Sequence, residues 1–200
     1  MNLSKYVFLI FFVFMGFIPY SLAIDTKQLE ISALEQQANN GDGDADSQFE
    51  LGFRYYQGKD IPQDYNKAIE YFSKAANQGD MYAQYSLGMM YYNGNGVSQN
   101  YRKAIEWLMK SANQGFIEAQ YNLGVVYSQG QESIRDYKKA IEWYTKAATL
   151  GSSDALFNLG MMYLDGQNIP QDKNKAKEYF KQACLNKFLR ACKAYEKLND

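Results

Sequence analysis

The sequence repeats itself every 36 residues, and no other feature constrains the fold as strongly. A Leu-Gly pair begins at positions 51, 87, 123 and 159, and a tyrosine follows in the same register at positions 55, 91, 127 and 163. A Lys-Ala pair recurs at positions 67, 103, 139 and 175. Periods of this length are typical of units that bury their apolar faces only by stacking on neighbours. We therefore expect four stacked units, at residues 47–82, 83–118, 119–154 and 155–190.

Each unit carries the signals of two α-helices joined by a turn. In unit one, the first helix is predicted from Ser47 to Gln57 and ends at Gly58, a residue that readily takes the left-handed C-cap conformation. A six-residue turn then places Asp64 at the N-cap of the second helix, and later units repeat this cap with Asn100, Asp136 and Asp172. Because the second helix has one apolar stripe at helical spacing, the pattern predicts an all-α fold.

The segments outside the four units are predicted to cap the array. Residues 24–42 contain a helical pattern over 28–38 that resembles a lone second helix. A helix predicted over 188–198, with residues 191–200 as the C-terminal cap, lies in the register of a fifth first helix. There Tyr195 and Glu196 replace the Leu-Gly pair. Since a glutamate fits at that position only if no further helix packs against it, the array should end there.

The first 23 residues have the pattern of a secretory signal peptide. Lys5 precedes an apolar run over residues 7–18, and Ser21 and Ala23 place small residues where a signal peptidase cleaves. The run is shorter than the roughly 20 residues that a membrane-spanning helix needs. We therefore expect cleavage after Ala23, a periplasmic or secreted location, and no membrane contact afterwards. An uncleaved anchor is the alternative.

Composition argues against several classes of function. The formal charge is −1, so the basic excess typical of nucleic-acid-binding proteins is missing. The chain has no histidine, the commonest general base and transition-metal ligand, and no Ser-x-x-Lys motif. The acidic run at residues 42–46 lacks the later Gly and Glu of a calcium loop. These features predict a protein without catalysis, cofactor or metal.

Residues 83–115 carry a recognisable family pattern. They read Ala-Gln-Tyr-x-Leu-Gly-x-x-Tyr-x-x-Gly-x-x-Val, followed by Lys-Ala-x-x-Trp-x-x-x-x-Ala-x-x-Gly. This pattern resembles the Sel-1-like repeat, a relative of the tetratricopeptide repeat, and the resemblance covers about residues 47–190. Unit three departs from it in the turn at residues 130–134, and unit four departs at Leu156, Lys177 and Lys187.

The resemblance implies a right-handed α-α superhelix that serves as a scaffold for protein–protein interaction. The expected partner is a protein or a peptide, and the protein itself is expected to be a monomer. Some cysteine-rich members of the family are described as penicillin-binding or weakly β-lactam-hydrolysing, which is the enzymatic alternative. A cell-envelope or virulence factor that binds cell-wall or host components is a further one.

Cys184 and Cys192 are the only cysteines, and they form an even pair in a chain expected to be exported. Two free buried thiols are the alternative to a disulfide. The resemblance favours the disulfide, because the cysteine-rich branch pairs cysteines with this spacing. On one continuous helix the two residues would be about 12 Å apart, too far for a bond. The bond can form only if the chain reverses near Asn186 and Lys187.

The first helices are apolar on a second face as well as on the Leu-Gly face. Similarity to tetratricopeptide repeats implies that this second face lines a concave groove. The candidate binding residues are Phe49, Phe53, Tyr56, Tyr82, Tyr85, Met89, Tyr92, Tyr121, Val125, Ser128, Phe157, Met161 and Leu164. Aromatic residues and methionine are enriched at protein interfaces. The alternative is that these residues only pack against the adjacent second helix.

Overall fold

The computed structural model describes residues 20–40, 43–166 and 169–199, with side chains from residue 26 onward. These residues form ten α-helices and no β-strand, so the predicted all-α solenoid is confirmed. The helices are α1 (Tyr20–Asn39), α2 (Ala45–Gln57), α3 (Tyr65–Asn77), α4 (Met81–Asn93), α5 (Tyr101–Asn113), α6 (Ile117–Gln129), α7 (Tyr137–Thr149), α8 (Ser153–Asp165), α9 (Lys173–Leu185) and α10 (Leu189–Lys197).

Helices α2 to α9 form four pairs, one per unit, and α1 and α10 flank them. The predicted signal peptide lies outside the described residues except for residues 20–23, which open α1. Among the helices that the structure describes, none combines the length and the apolar character that crossing a membrane requires.

The predicted helix caps are present at the start of every second helix. The carboxylate of Asp64 accepts hydrogen bonds from the backbone N–H groups of Asn66 and Lys67. The side chains of Asn100, Asp136 and Asp172 each accept one from the third residue that follows. These bonds satisfy N–H groups that have no partner within the helix.

The glycines that end the first helices behave alike in three units and differently in the third. Gly58, Gly94 and Gly166 are left-handed, with φ of 70°, 78° and 62°. Gly130 shares their register but is extended, with φ of −63°. The turn after Gly130 closes differently, because the Ile134 N–H donates to the Gln131 carbonyl and the Arg135 side chain donates to the Gly130 carbonyl.

The two helices of a unit pack closely because the first has glycine where the second presents a large side chain. A Cβ atom placed on Gly52 would lie 2.8 Å from Cδ1 of Phe72. On Gly160 it would lie 2.5 Å from Cε1 of Phe180. The four side chains that occupy this space are buried, namely Phe72, Leu108, Tyr144 and Phe180. The Leu-Gly pair therefore marks the tightest contact within each unit.

A buried glutamine in the first helix of units one to three bonds the end of the preceding helix. Gln84 Nε2 donates to the Ala76 carbonyl at 3.1 Å, and Gln84 Oε1 accepts from Gln114 Nε2 at 2.9 Å. Gln48 makes equivalent bonds, with Gln78 as its donor at 2.8 Å. The bond to Ala76 crosses from unit two to unit one, whereas the bond between the two glutamines joins the two helices of one unit.

Unit three breaks this pattern. Gln120 Nε2 donates to the Ala112 carbonyl, but the buried Gln120 Oε1 has no hydrogen-bond partner among the described residues. The position equivalent to Gln78 and Gln114 is Leu150, whose backbone takes nearly the same conformation as theirs. Leu150 is 50% exposed, so its side chain contributes little to the core.

We therefore expect Leu150→Gln to stabilise the protein by about 1 kcal/mol, because the new amide can donate to Gln120 Oε1. For a chain of this length the melting temperature should rise by about 2–4 °C. Thermal unfolding followed by circular dichroism measures the change. Thr149→Gln, at the exposed neighbouring position, is the control and should change little. A melting temperature that does not rise in Leu150→Gln would contradict the proposed bond.

The chain reverses after unit four and is held there by a disulfide. Cys184 and Cys192 are bonded, and their Cα atoms lie 4.6 Å apart, so the predicted disulfide is present. The reversal occurs at Lys187, which is left-handed with φ of 64°. Left-handed Gly79, Gly115 and Gly151 occupy this position in the other units. The chain thus turns where the sequence predicts, although the favoured glycine is missing.

Candidate binding surface

The first helices present an apolar face that remains partly open to solvent. We call it the first-helix face and define it by the thirteen candidate residues named above. Eleven of them are partly buried, while Phe53 and Tyr82 are 37% and 45% exposed. None is fully buried, and at least three of these residues come from each of the four units. The face is therefore continuous along the array.

Four aromatic residues, one per unit, form the row closest to the core of the repeat. The ring centroid of Phe49 lies 5.6 Å from that of Phe72 in α3, and Tyr121 lies 5.8 Å from Tyr144 in α7. The other two are Tyr85, 5.1 Å from Phe116, and Phe157, 5.5 Å from Phe180. Packing and accessibility thus coexist, because each ring contacts the core while part of it stays exposed. Such rings are held in place and lose little conformational freedom on binding.

Hydrogen bonds between successive first helices fix this row further. Asn122 Nδ2 donates to the Tyr85 hydroxyl at 3.3 Å, and Asn158 Nδ2 donates to the Tyr121 hydroxyl at 3.4 Å. Burial is the main cause that raises the pKa of the Tyr85 phenol, which therefore stays neutral at physiological pH. The two asparagines were not predicted as site residues. The sequence could have pointed to them, because an asparagine directly precedes the Leu-Gly pair in both unit three and unit four.

Two other candidate residues use their hydroxyl groups within the protein. Ser128 Oγ donates to the Val125 carbonyl at 3.1 Å and lies 3.1 Å from the Tyr144 hydroxyl. The Tyr56 hydroxyl accepts from Asn95 Nδ2 at 3.3 Å. These groups therefore orient neighbouring side chains, and what the face offers a ligand is mainly apolar contact area.

Lysines on the second helices cover aromatic rings beside them. The Nζ atoms of Lys110 and Lys146 lie 3.9 Å from the ring centroids of Trp107 and Trp143. Lys67 is placed similarly, 4.8 Å from the centroid of Tyr55. These cation–π contacts shield the rings from other partners. The second helices are thus less suited than the first-helix face to apolar recognition.

The chemical groups of the first-helix face are of few kinds. They are aliphatic, thioether and aromatic groups together with the hydroxyls of tyrosine and Ser128. Within residues 20–40, 43–166 and 169–199, no group of three or more His, Cys, Asp or Glu side chains is arranged to hold a metal ion.

Comparison with known proteins identifies the repeat. Four segments match the Sel1 repeat, at residues 45–80, 82–116, 117–152 and 153–188. Each segment contains one of the four helix pairs. No curated protein matches the sequence.

Solved structures with similar folds come from bacteria. One is c5321, a protective antigen present in uropathogenic Escherichia coli strains and displaying an SLR fold, with 35% identity and a TM-score of 0.74. The match covers 81% of this chain but only 34% of that one. Another is a Sel1 repeat protein from Oxalobacter formigenes, with 28% identity, a TM-score of 0.71, and coverage of 87% and 74%. With four matched repeats and these structural relatives, the chain belongs to the Sel1-repeat family.

Proposed function

We propose that the protein is an exported scaffold that binds a protein or peptide along the first-helix face, without catalysis. The observation that carries this proposal is the row of partly exposed aromatic and methionine side chains that continues through all four units. In the proposal this face lines the concave groove of the superhelix. An extended segment of the partner would lie across successive units.

The physical chemistry of the face supports this assignment. Aromatic side chains bury a large apolar area, and here they are already fixed by packing, so little entropy is lost on binding. Tyr85 and Tyr92 are neutral, because burial raises the pKa of both phenols. The face therefore offers apolar area without a cost for removing phenolate charges from water.

The test is a charge placed on the face. Met89→Glu should weaken binding of a partner, identified by crosslinking mass spectrometry on the native protein, by about tenfold or more, because it buries an unpaired charge at the contact. Titration calorimetry measures the affinity, and circular dichroism verifies that helicity is kept. Tyr92→Glu should act in the same way.

Met109→Glu is the matched control. Met109 belongs to the same unit as Met89, lies on the second helix, and is 38% exposed, so the substitution adds the same charge away from the first-helix face. Its affinity should stay within about twofold of the wild type. If Met109→Glu weakens binding and Met89→Glu does not, the first-helix face is the wrong surface.

Export to the periplasm or the medium is the second part of the proposal. Intact-mass measurement of the protein from the exporting cell should give a chain that begins at Ile24. Cleavage would remove residues 20–23 of α1 but keep the buried Ile31 and Ala38, so the packing of α1 on unit one would be retained. A mature protein that still contains residues 1–23 would contradict this prediction.

A further inference from the structure

The last two helices, α9 and α10, have a charge unlike that of the rest of the chain. Residues 173–199 contain eight basic side chains and two acidic ones, although the whole chain has 21 basic and 22 acidic residues. The basic residues are Lys173, Lys175, Lys177, Lys181, Lys187, Arg190, Lys193 and Lys197. The array thus ends in a strongly cationic element.

The end of the array accounts for the lysines that begin α9. In unit one, Tyr65 and Ile69 point toward the next unit, because a Cβ atom on Gly96 would meet both. Tyrosine and isoleucine recur at these positions in units two and three, whereas unit four has Lys173 and Lys177. No fifth pair follows in the described chain, so polar groups are favoured there.

That explanation does not apply to three basic residues of α10. Arg190, Lys193 and Lys197 lie 36 residues after Asp154, Phe157 and Met161, so they continue the first-helix face rather than the terminal surface. The Arg190 guanidinium carbon lies 5.1 Å from the ring centroid of Phe157, the last aromatic of the row. The cations therefore begin where the apolar row ends.

These three cations are exposed and available to a ligand. Arg190, Lys193 and Lys197 are all exposed, and no carboxylate of the described residues lies within 4.0 Å of their charged atoms. Earlier members of the Arg190 register are Asp46, Tyr82, Glu118 and Asp154. Charge along the face therefore changes from acidic to basic only at α10.

The position of the cations is also fixed. Helix α10 has nine residues, too few to be stable alone, but Ala191 is buried and Cys192 is bonded to α9. The Phe188 ring, just before α10, packs 5.6 Å from that of Phe157. Because Cys192 lies between Arg190 and Lys193, the disulfide holds both next to the apolar row.

We propose that the first-helix face binds an extended polypeptide segment whose apolar side chains contact units one to four and whose Asp or Glu side chains pair with Arg190, Lys193 and Lys197. This inference rests on the proposed function and adds the chemistry and direction of the ligand. Acidic side chains of the ligand are directed to α10 because the earlier members of the Arg190 register include Asp46, Glu118 and Asp154, which would repel them. An anionic membrane is the less favoured partner, because the cations continue a row of packed aromatic residues on one side of the helix.

The experiment selects peptides from a random displayed library on the immobilised exported protein. Wild-type protein should enrich peptides in which an apolar block adjoins one or more acidic residues. The variant R190E/K193E/K197E should bind these peptides about tenfold or more weakly, and should itself enrich basic residues. The control K173E/K181E/K187E makes the same change of charge at exposed positions outside the face, and should bind within about twofold of wild type.

The outcomes separate this inference from the proposed function. Enriched peptides without an acidic preference, but sensitive to Met89→Glu, would overturn the inference and leave the proposed function standing. Equal weakening by both triple variants would overturn it as well. Failure of wild-type protein to enrich any peptide would count against both proposals. Another outcome is that the protein sediments with phosphatidylglycerol vesicles in a way that depends on Arg190, while enriching no acidic peptides. That result would overturn the inference and identify an anionic membrane as the ligand of the cations.

Discussion

Gly124→Leu should lower the free energy of unfolding by about 2–3 kcal/mol and the melting temperature by roughly 5–10 °C. A Cβ atom on Gly124 would already collide with the ring of Tyr144, at 2.8 Å from its Cγ. That ring is 1% exposed, and its hydroxyl lies 3.1 Å from Ser128 Oγ. Burial raises the pKa of Tyr144 to about 12, which agrees with a phenol held in the core.

Two effects of this substitution oppose each other. Leucine favours a helix over glycine by about 1 kcal/mol, whereas overpacking a tight core costs about 1–3 kcal/mol, and occasionally more. Overpacking should dominate, because leucine adds four carbon atoms where the first does not fit. Glu118→Leu is the control, since it adds the same side chain at an exposed position of α6 and should change stability by no more than about 0.5 kcal/mol. An unchanged melting temperature in Gly124→Leu would contradict the close contact.

Loss of the disulfide should release α10 from the array. The bond closes a short loop between Cys184 and Cys192, and such a closure contributes roughly 2–3 kcal/mol. In C184S/C192S, backbone amides of α10 should therefore exchange with solvent much faster than in wild type. Amides of α6 should be unaffected, because in a solenoid each unit contacts only its neighbours. Hydrogen exchange followed by mass spectrometry resolves the two regions.

The turn at Lys187 offers a matched variant. A left-handed conformation costs a residue with a Cβ atom roughly 1–2 kcal/mol, and glycine avoids most of this cost. K187G in the C184S/C192S background should therefore restore part of the protection of α10. Two thiols that react in the unreduced, denatured wild-type protein would rule out the bond itself. If the amides of α10 exchange at the same rate in wild type and in C184S/C192S, α10 is held by packing alone.

The local parts of the fold could be predicted from the sequence. The N-caps at Asp64, Asn100, Asp136 and Asp172 are all present, because a cap depends on hydrogen bonds to backbone groups two or three residues away. Gly130 shares the register of Gly58 but is extended, and it opens the turn at which unit three departs from the repeat pattern. Equivalent positions thus share a conformation only when the following turn is also equivalent.

The candidate surface could be predicted in part. Spacing within α2, α4, α6 and α8 indicated which side chains lie away from the Leu-Gly contact, and none of the thirteen is fully buried. The spacing of these residues in the sequence did not show whether a ring packs against the core or is accessible to a ligand, because the same ring does both. Phe49 contacts Phe72 and still remains partly accessible.

The sequence by itself determined the number of units, the caps of their helices and the place where the chain reverses. These features depend on a period, on turns and on hydrogen bonds that close within a few residues. Only the tertiary structure decided which groups meet between units. Asn95 meets Tyr56 across 39 residues, and Asn122 meets Tyr85 and Asn158 meets Tyr121 across 37. Such contacts depend on how one unit is rotated relative to the next, and the repeat period of the sequence does not specify that rotation.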